Sequence, residues 1–323
     1  MNLQPRINYG AQFAILLGIT GAAFIVGGVA TIFISAAILH TDIVSVSTVL
    51  LKPEHATLAQ WVNTGFSFIA FFVPTIITAA IASNKPFAYT YFNKKANIKQ
   101  IAIVIILGFF GLMLSGLLGE LTEKIPLSPI LLKKAKALED TYDEAVAAMV
   151  TMKSFKDYLI ALLVIAIAPA IFEETLFRGG LQRILTGWTK SPWFSIILTA
   201  IFFSLVHISY FGFLSRFALG MLLGFIFYYS GNIWLNILLH FLNNGAAVTQ
   251  LYILVRSGKP MDKAMNENLP GIGTNTIAIL VVTIVVLVII IALFKRFKRE
   301  SEKVNPVATQ ILPVINNNPF ANE

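Results

Sequence analysis

Glu173, Glu174 and Arg178 lie at the end of an apolar run that begins near Leu159. A charge at the centre of a membrane helix costs roughly 2.5–3.5 kcal/mol on insertion scales, so charges in such a setting are paired, inward-facing and functional. Spacing separates the two acids. Glu174 and Arg178 are four residues apart with the acid first, the favourable order for a helical ion pair. Adjacent helical residues point about 100° apart, so Glu173 faces elsewhere and is left to act as a general base toward water. The plainer reading is a buried pair that fixes helix packing, but one Glu–Arg pair suffices for that and leaves the second glutamate unexplained.

The chain has four histidines and no cysteine. Thiolate chemistry and disulfides are excluded; imidazole and carboxylate chemistry remain. His40 and His55 fall in or beside the first outer loop, where a solvated or interfacial role is the default. His207 and His240 fall in apolar segments. Phe203 and His207 share a helical face, and Asn236, His240 and Asn244 repeat every four residues as a polar stripe that must face protein or a wet cavity. A glutamate with two imidazoles can position a water and take its proton, while a histidine and an asparagine amide can donate to a tetrahedral oxyanion. The same glutamate and imidazoles, Glu173, His207 and His240, are candidate ligands for a divalent metal such as zinc. Both readings stay open at this point.

Helices must carry these groups. With 57% hydrophobic residues, 12% charged residues and mean hydropathy +0.77, the 323-residue chain reads as an all-α polytopic membrane protein. Eight apolar stretches approach the roughly 20 residues that a bilayer requires: 12–39, 62–84, 101–119, 157–180, 193–210, 213–230, 232–255 and 274–294. Pro169 predicts a kink one turn before the glutamates, and Gly179-Gly180 predicts a helix end just after Arg178. Counted at 1.5 Å per residue, Glu173 and His240 lie roughly 10–12 Å from the near ends of their segments and His207 roughly 20 Å from the start of its own. A common site therefore requires the fifth helix to begin outside the bilayer.

The formal charge of +8 does not point to nucleic acid, because the basic residues follow the topology instead of gathering in one patch. Arg6, Lys85, Lys94, Lys95, Lys99, Arg183, Lys190 and the Lys295–Arg299 cluster fall on one side if the segments alternate, and the positive-inside rule makes that side, with both termini, cytoplasmic. The first apolar run is too long for a cleavable signal. Residues 120–156 alternate charged and apolar positions, among them Ala135, Leu138, Tyr142, Val146 and Met149, as expected of amphipathic helices on the outer surface. Trp61, Trp188, Trp193 and Trp234 read as an interfacial belt. The organisation expected is N-terminal helices and outer loop over 1–156, a catalytic core over 157–255, an outer loop and final helix over 256–300 and a disordered tail over 301–323.

Taken together, Glu-Glu-x-x-x-Arg (Glu173, Glu174, Arg178), Phe-x-x-x-His (Phe203, His207) and His-x-x-x-Asn (His240, Asn244) resemble the three motifs of the CPBP family. These are the CAAX-protease and bacteriocin-processing membrane proteins that include the type II CAAX prenyl endopeptidases. The resemblance covers roughly residues 157–250 and implies a CAAX-protease-like helical core and intramembrane endopeptidase activity. It further implies Glu173 as general base, His207 holding the attacking water, His240 with Asn244 at the oxyanion, and Glu174 supporting through Arg178. The partners expected are a peptide or membrane-protein substrate and the lipid bilayer, in a bacterial cytoplasmic membrane. A non-catalytic scaffold or bacteriocin-immunity protein is the alternative, and a proton-coupled transporter, for which no internal repeat is found, a further one.

Overall fold

The computed structural model describes residues 5–150 and 152–257, together with isolated positions between 281 and 295. Among the described residues every regular element is helical. Eight helices matter here: α1 (Tyr9–Leu39), α2 (Pro53–Ala82), α3 (Ile98–Glu123), α4 (Pro129–Met149), α5 (Phe155–Thr189), α6 (Pro192–Leu205), α7 (Phe213–Ser230) and α8 (Ile233–Arg256). Six of them, all but α4 and α6, are long and apolar enough to cross a membrane. α6 is apolar but shorter. The expected span 274–294 and the tail from 301 lie largely or wholly outside the described residues.

The helices form one bundle around α5. Half of the apolar window of α5 is buried, against 17% for α1, which makes α5 the central strut and α1 an outer one. Its Leu176, Phe177, Leu181 and Ile184 meet Leu16 of α1, Phe71 of α2, Leu107 of α3, Phe203 of α6, Leu223 of α7 and Leu239 of α8 in one core cluster. The four tryptophans stand on the outside of this bundle, all substantially exposed, as a belt requires.

One expectation for α5 is corrected. The Gly179-Gly180 pair does not end the helix, which runs on to Thr189 through a wide π-helical stretch at Thr175–Gln182. The glycines serve close packing. A Cβ on Gly179 would sit 3.2 Å from Thr90 Cβ, and one on Gly180 would sit 3.1 Å from Thr75 Cγ2 and 3.3 Å from Leu16 Cδ2. Pro169, in turn, follows a second π-helical stretch at Leu162–Ile167. The wider turn takes up the missing donor and the crowded carbonyl one turn back. Pro74 follows the same kind of stretch, Phe68–Phe72, in α2.

The longer α5 also removes the depth conflict. From Glu173 to Thr189 is roughly 24 Å of helix, and from Pro192 to His207 roughly 22 Å, so the two residues stand level on neighbouring helices. α8 is the one that starts high: its first residue, Ile233, packs beside Gly179. Arg183, expected among the flanking cytoplasmic charges, is buried instead. It donates to the Gly179 carbonyl (2.9 Å) and to Gln12 Oε1 (3.1 Å), with its guanidinium 3.8 Å from the Tyr89 ring centroid.

Residues 120–156 yield the last turn of α3 and the amphipathic α4. Ala135 and Ala148 are its buried positions, while Leu138 is exposed toward an apolar cavity of about 480 Å³ bounded also by Thr122, Ile125, Leu205, Ile208 and Phe213.

Candidate active site

The site is built on α5 between its two wide stretches, where Glu173 and Glu174 project from Ala168–Glu174. Glu174 and Arg178 are fully buried and paired, Nη1 donating to Oε1 at 2.9 Å. The guanidinium also donates from Nη2 to the Gly220 carbonyl on α7 (3.0 Å) and lies 4.9 Å from the Phe203 ring centroid. One turn further along α5, Gln182 donates to the Gly224 carbonyl (2.9 Å). These two bonds stitch α5 to α7 at successive turns.

His240 binds the same carboxylate oxygen as Arg178: its Nδ1 is 3.0 Å from Glu174 Oε1. An ionised carboxylate only accepts, so Nδ1 carries the proton and Nε2 is directed away from Glu174. His207 is arranged in parallel. Its Nδ1 donates to the Phe203 carbonyl at 2.8 Å, which again frees Nε2. The two Nε2 atoms converge on Glu173, at 3.9 Å (His207) and 4.0 Å (His240) from Oε2. That oxygen is buried and has no hydrogen-bond partner among the described residues. The separations are too long for direct hydrogen bonds and suit one small molecule between the three groups.

Phe203 is the floor of this arrangement. Its ring packs against Phe177, His207 and His240 at centroid distances of 5.2, 5.2 and 5.6 Å and under the Arg178 guanidinium. Asn236 anchors α8 by donating to the Leu223 carbonyl at 2.6 Å. Five of the six residues expected from the spacing, Glu173, Glu174, Arg178, His207 and His240, are therefore in mutual reach. Asn244 is one turn beyond His240 and half-buried; its Oδ1 accepts from Asn243 Nδ2 (3.2 Å), and its own Nδ2 has no partner among the described residues.

A zinc ion holds its ligands at roughly 2.0–2.2 Å, which puts tetrahedral donors roughly 3.3–3.6 Å from one another. The spacings about Glu173 exceed this, and no cluster of three or more His, Asp or Glu among the described residues is disposed to hold a metal. The residues as placed do not form a zinc site.

Sequence spacing gave no sign of a further group around His207. This residue lies beyond the end of α6, in the loop 206–212. The loop is met by Glu139 of α4, to whose carboxylate Ser209 Oγ donates (3.0 Å to each oxygen). Arg216 of α7 lies 4.7 Å from the Tyr142 ring centroid, also on α4. These contacts join residues about 70 positions apart, and no local pattern encodes them.

No curated protein and no solved structure matches the chain. A family match does exist, and it begins at α5 and ends within α8, enclosing all three motifs. Over residues 155–246 the chain matches the family model described as Type II CAAX prenyl endopeptidase Rce1-like, the kind of protein its motifs resemble.

Proposed function

We propose that the protein is an intramembrane endopeptidase that hydrolyses a peptide bond with a water activated by Glu173. One observation carries this reading: a buried carboxylate oxygen of Glu173, without a hydrogen-bond partner among the described residues, faced by the Nε2 atoms of two histidines whose other nitrogens are both held. A transporter's proton relay needs neither this convergence nor the fixed orientation of both rings.

In the proposed reaction a water sits between Glu173 and His207. His207 Nε2 accepts one of its O–H bonds, and Glu173 removes the proton of the other as the oxygen attacks the peptide carbonyl carbon. The carbonyl electrons move onto oxygen. His240 in its cationic form, with Nδ1 held by Glu174, donates to that oxyanion from Nε2, and Asn244 Nδ2 donates beside it. Collapse expels the amine, which takes the proton from Glu173. Glu174 and Arg178 bond neither water nor substrate in this scheme; they hold His240. The substrate class is a peptide or the terminus of a membrane protein reached within the bilayer. We place the chain in a bacterial cytoplasmic membrane with its termini on the basic, cytoplasmic side.

The test is cleavage of a quenched-fluorescence peptide library by detergent-purified protein, wild type beside Glu173→Gln, with prenylated and unmodified peptides as separate arms. The expected result is cleavage by the wild type and a loss of about 10²–10⁴-fold in the variant, the usual contribution of a general base. Equal cleavage by both proteins would reject Glu173 as the base. Folded wild type that is silent toward every arm would favour a non-catalytic scaffold.

A further inference from the structure

We propose that Glu139, on α4 and outside the family-matched segment, is a positioning residue that sets His207 against Glu173 by clamping the loop between α6 and α7. The proposal rests on the endopeptidase reading for its kinetic consequence, but the clamp itself is structural.

The loop needs holding. α6 ends at Leu205, and the residue after His207 is Ile208 with φ +51°. A β-branched side chain in the left-handed region is a strained conformation that surrounding contacts must enforce. The ends of the loop are fixed by the bundle: Ser204 Oγ donates to the Phe213 carbonyl (2.6 Å) and Ser215 Oγ to the Ser115 carbonyl on α3 (2.8 Å). Its middle is held from α4. Ser209, almost fully buried, shares its hydroxyl proton between the two oxygens of Glu139 and accepts the Gly212 N–H at 3.0 Å. The Phe211 N–H adds a longer bond to Glu139 Oε2 (3.4 Å).

A second tie runs in parallel. Tyr142, three residues on and on the same face of α4, stacks with the Arg216 guanidinium, which lies against Gly212. The carboxylate of Glu139 thus enforces the geometry at residues 209–212 that keeps Ile208 left-handed. That in turn fixes where the backbone presents His207, whose Nε2 must stay near Glu173. A role as simple surface cover predicts no link between Glu139 and the conformation of residue 208. The clamp predicts one.

Glycine at 208 adopts φ +51° without cost, so Ile208→Gly separates the two ideas. With full-length protein in detergent, kcat and KM are measured for wild type, Glu139→Ala, Ile208→Gly and the double variant on a peptide the wild type cleaves. In parallel, modification of each histidine by diethylpyrocarbonate is followed by mass spectrometry, which requires no activity.

The expected result for Glu139→Ala is a fall in kcat of roughly ten-fold, the scale set by strain at one left-handed non-glycine residue, with little change in KM. His207 should be modified several-fold faster while His240, only 2% exposed, stays protected. Ile208→Gly in that background should restore most of kcat and slow the labelling. The clamp is overturned if Glu139→Ala changes neither kcat nor His207 labelling. It is equally overturned if His207 and His240 become reactive together and Ile208→Gly rescues nothing, which is general loosening. Should no peptide be cleaved by the wild type, the endopeptidase reading fails, and selective His207 labelling still decides the clamp.

Discussion

Glu174 is the residue on which the polar interior turns, because one of its oxygens receives both Arg178 and His240. Removing Arg178 leaves a fully buried carboxylate without its charge partner, a change that costs about 3–5 kcal/mol. Arg178→Met is therefore expected to lower the thermal unfolding midpoint in detergent strongly. The double change Arg178→Met with Glu174→Gln should be markedly less harmful than Arg178→Met alone, since no orphaned charge remains. At Glu173 the expectation runs the other way: Glu173→Gln removes activity and leaves the midpoint near that of the wild type, because its Oε2 has no hydrogen-bond partner among the described residues to lose. A strong chelator is expected to leave cleavage unchanged, given donor spacings wider than zinc's; loss of activity restored by zinc alone would refute that. The i, i+4 pair of Glu174 and Arg178 was legible in the sequence because it is local. The sharing of Glu174 with His240 was not, since the sequence put His240 only on a polar face, and contact across helices is set by packing.

At the scale of elements, glycines decide how closely the helices approach. Gly180→Ala places a methyl against the side chains of Thr75 and Leu16, whereas Gly220→Ala places one 3.0 Å from the Ala200 Cα, which is backbone. Overpacking against backbone costs about 1–3 kcal/mol. Gly220→Ala is expected to be the more destabilising of the two, and to reduce activity as well, since the Gly220 carbonyl holds Arg178. Unfolding midpoints of the two variants compare them directly. On α4, burial first and the nearby Glu139 and Asp140 second push the Asp143 carboxyl above its usual range. A carboxyl whose folded value is raised binds more protons folded than unfolded, so its contribution to stability falls as pH rises through that range. Asp143→Asn should therefore stabilise the docking of α4 at neutral pH and make no difference in acid below the ordinary aspartate range, as read from unfolding midpoints at the two pH values. The apolar segments were legible from composition and the bounds of α5 were not. Gly-Gly signals a helix end by propensity, but here tertiary packing against Thr90 and Thr75 uses the same residues to bring helices together.

For the molecule as a whole, the site joins a central helix to partners made after it. α5 carries Glu173, Glu174, Arg178 and Arg183 into an apolar environment, and the groups that receive the first three, the Gly220 carbonyl, His207 and His240, belong to α6–α8 and their connections. All of these except the carbonyl are legible in the sequence, but the need for α1–α4 is not. The packing of α1 and α2 on the glycine pair, and of α4 on the His207 loop, supplies one.

The position of Glu174's partner 66 residues downstream sets a schedule for biogenesis. At a synthesis rate of about 5–20 residues per second, His240 leaves the ribosome several seconds after Glu174, and during that interval α5 has only its internal Glu174–Arg178 pair to offset the cost of entering lipid. α5 is therefore expected to wait, held at the insertion machinery or in a shallow position until α7 and α8 arrive. Nascent chains arrested before residue 213 should leave α5 accessible to water-soluble labels, whereas chains extended past residue 256 should protect it.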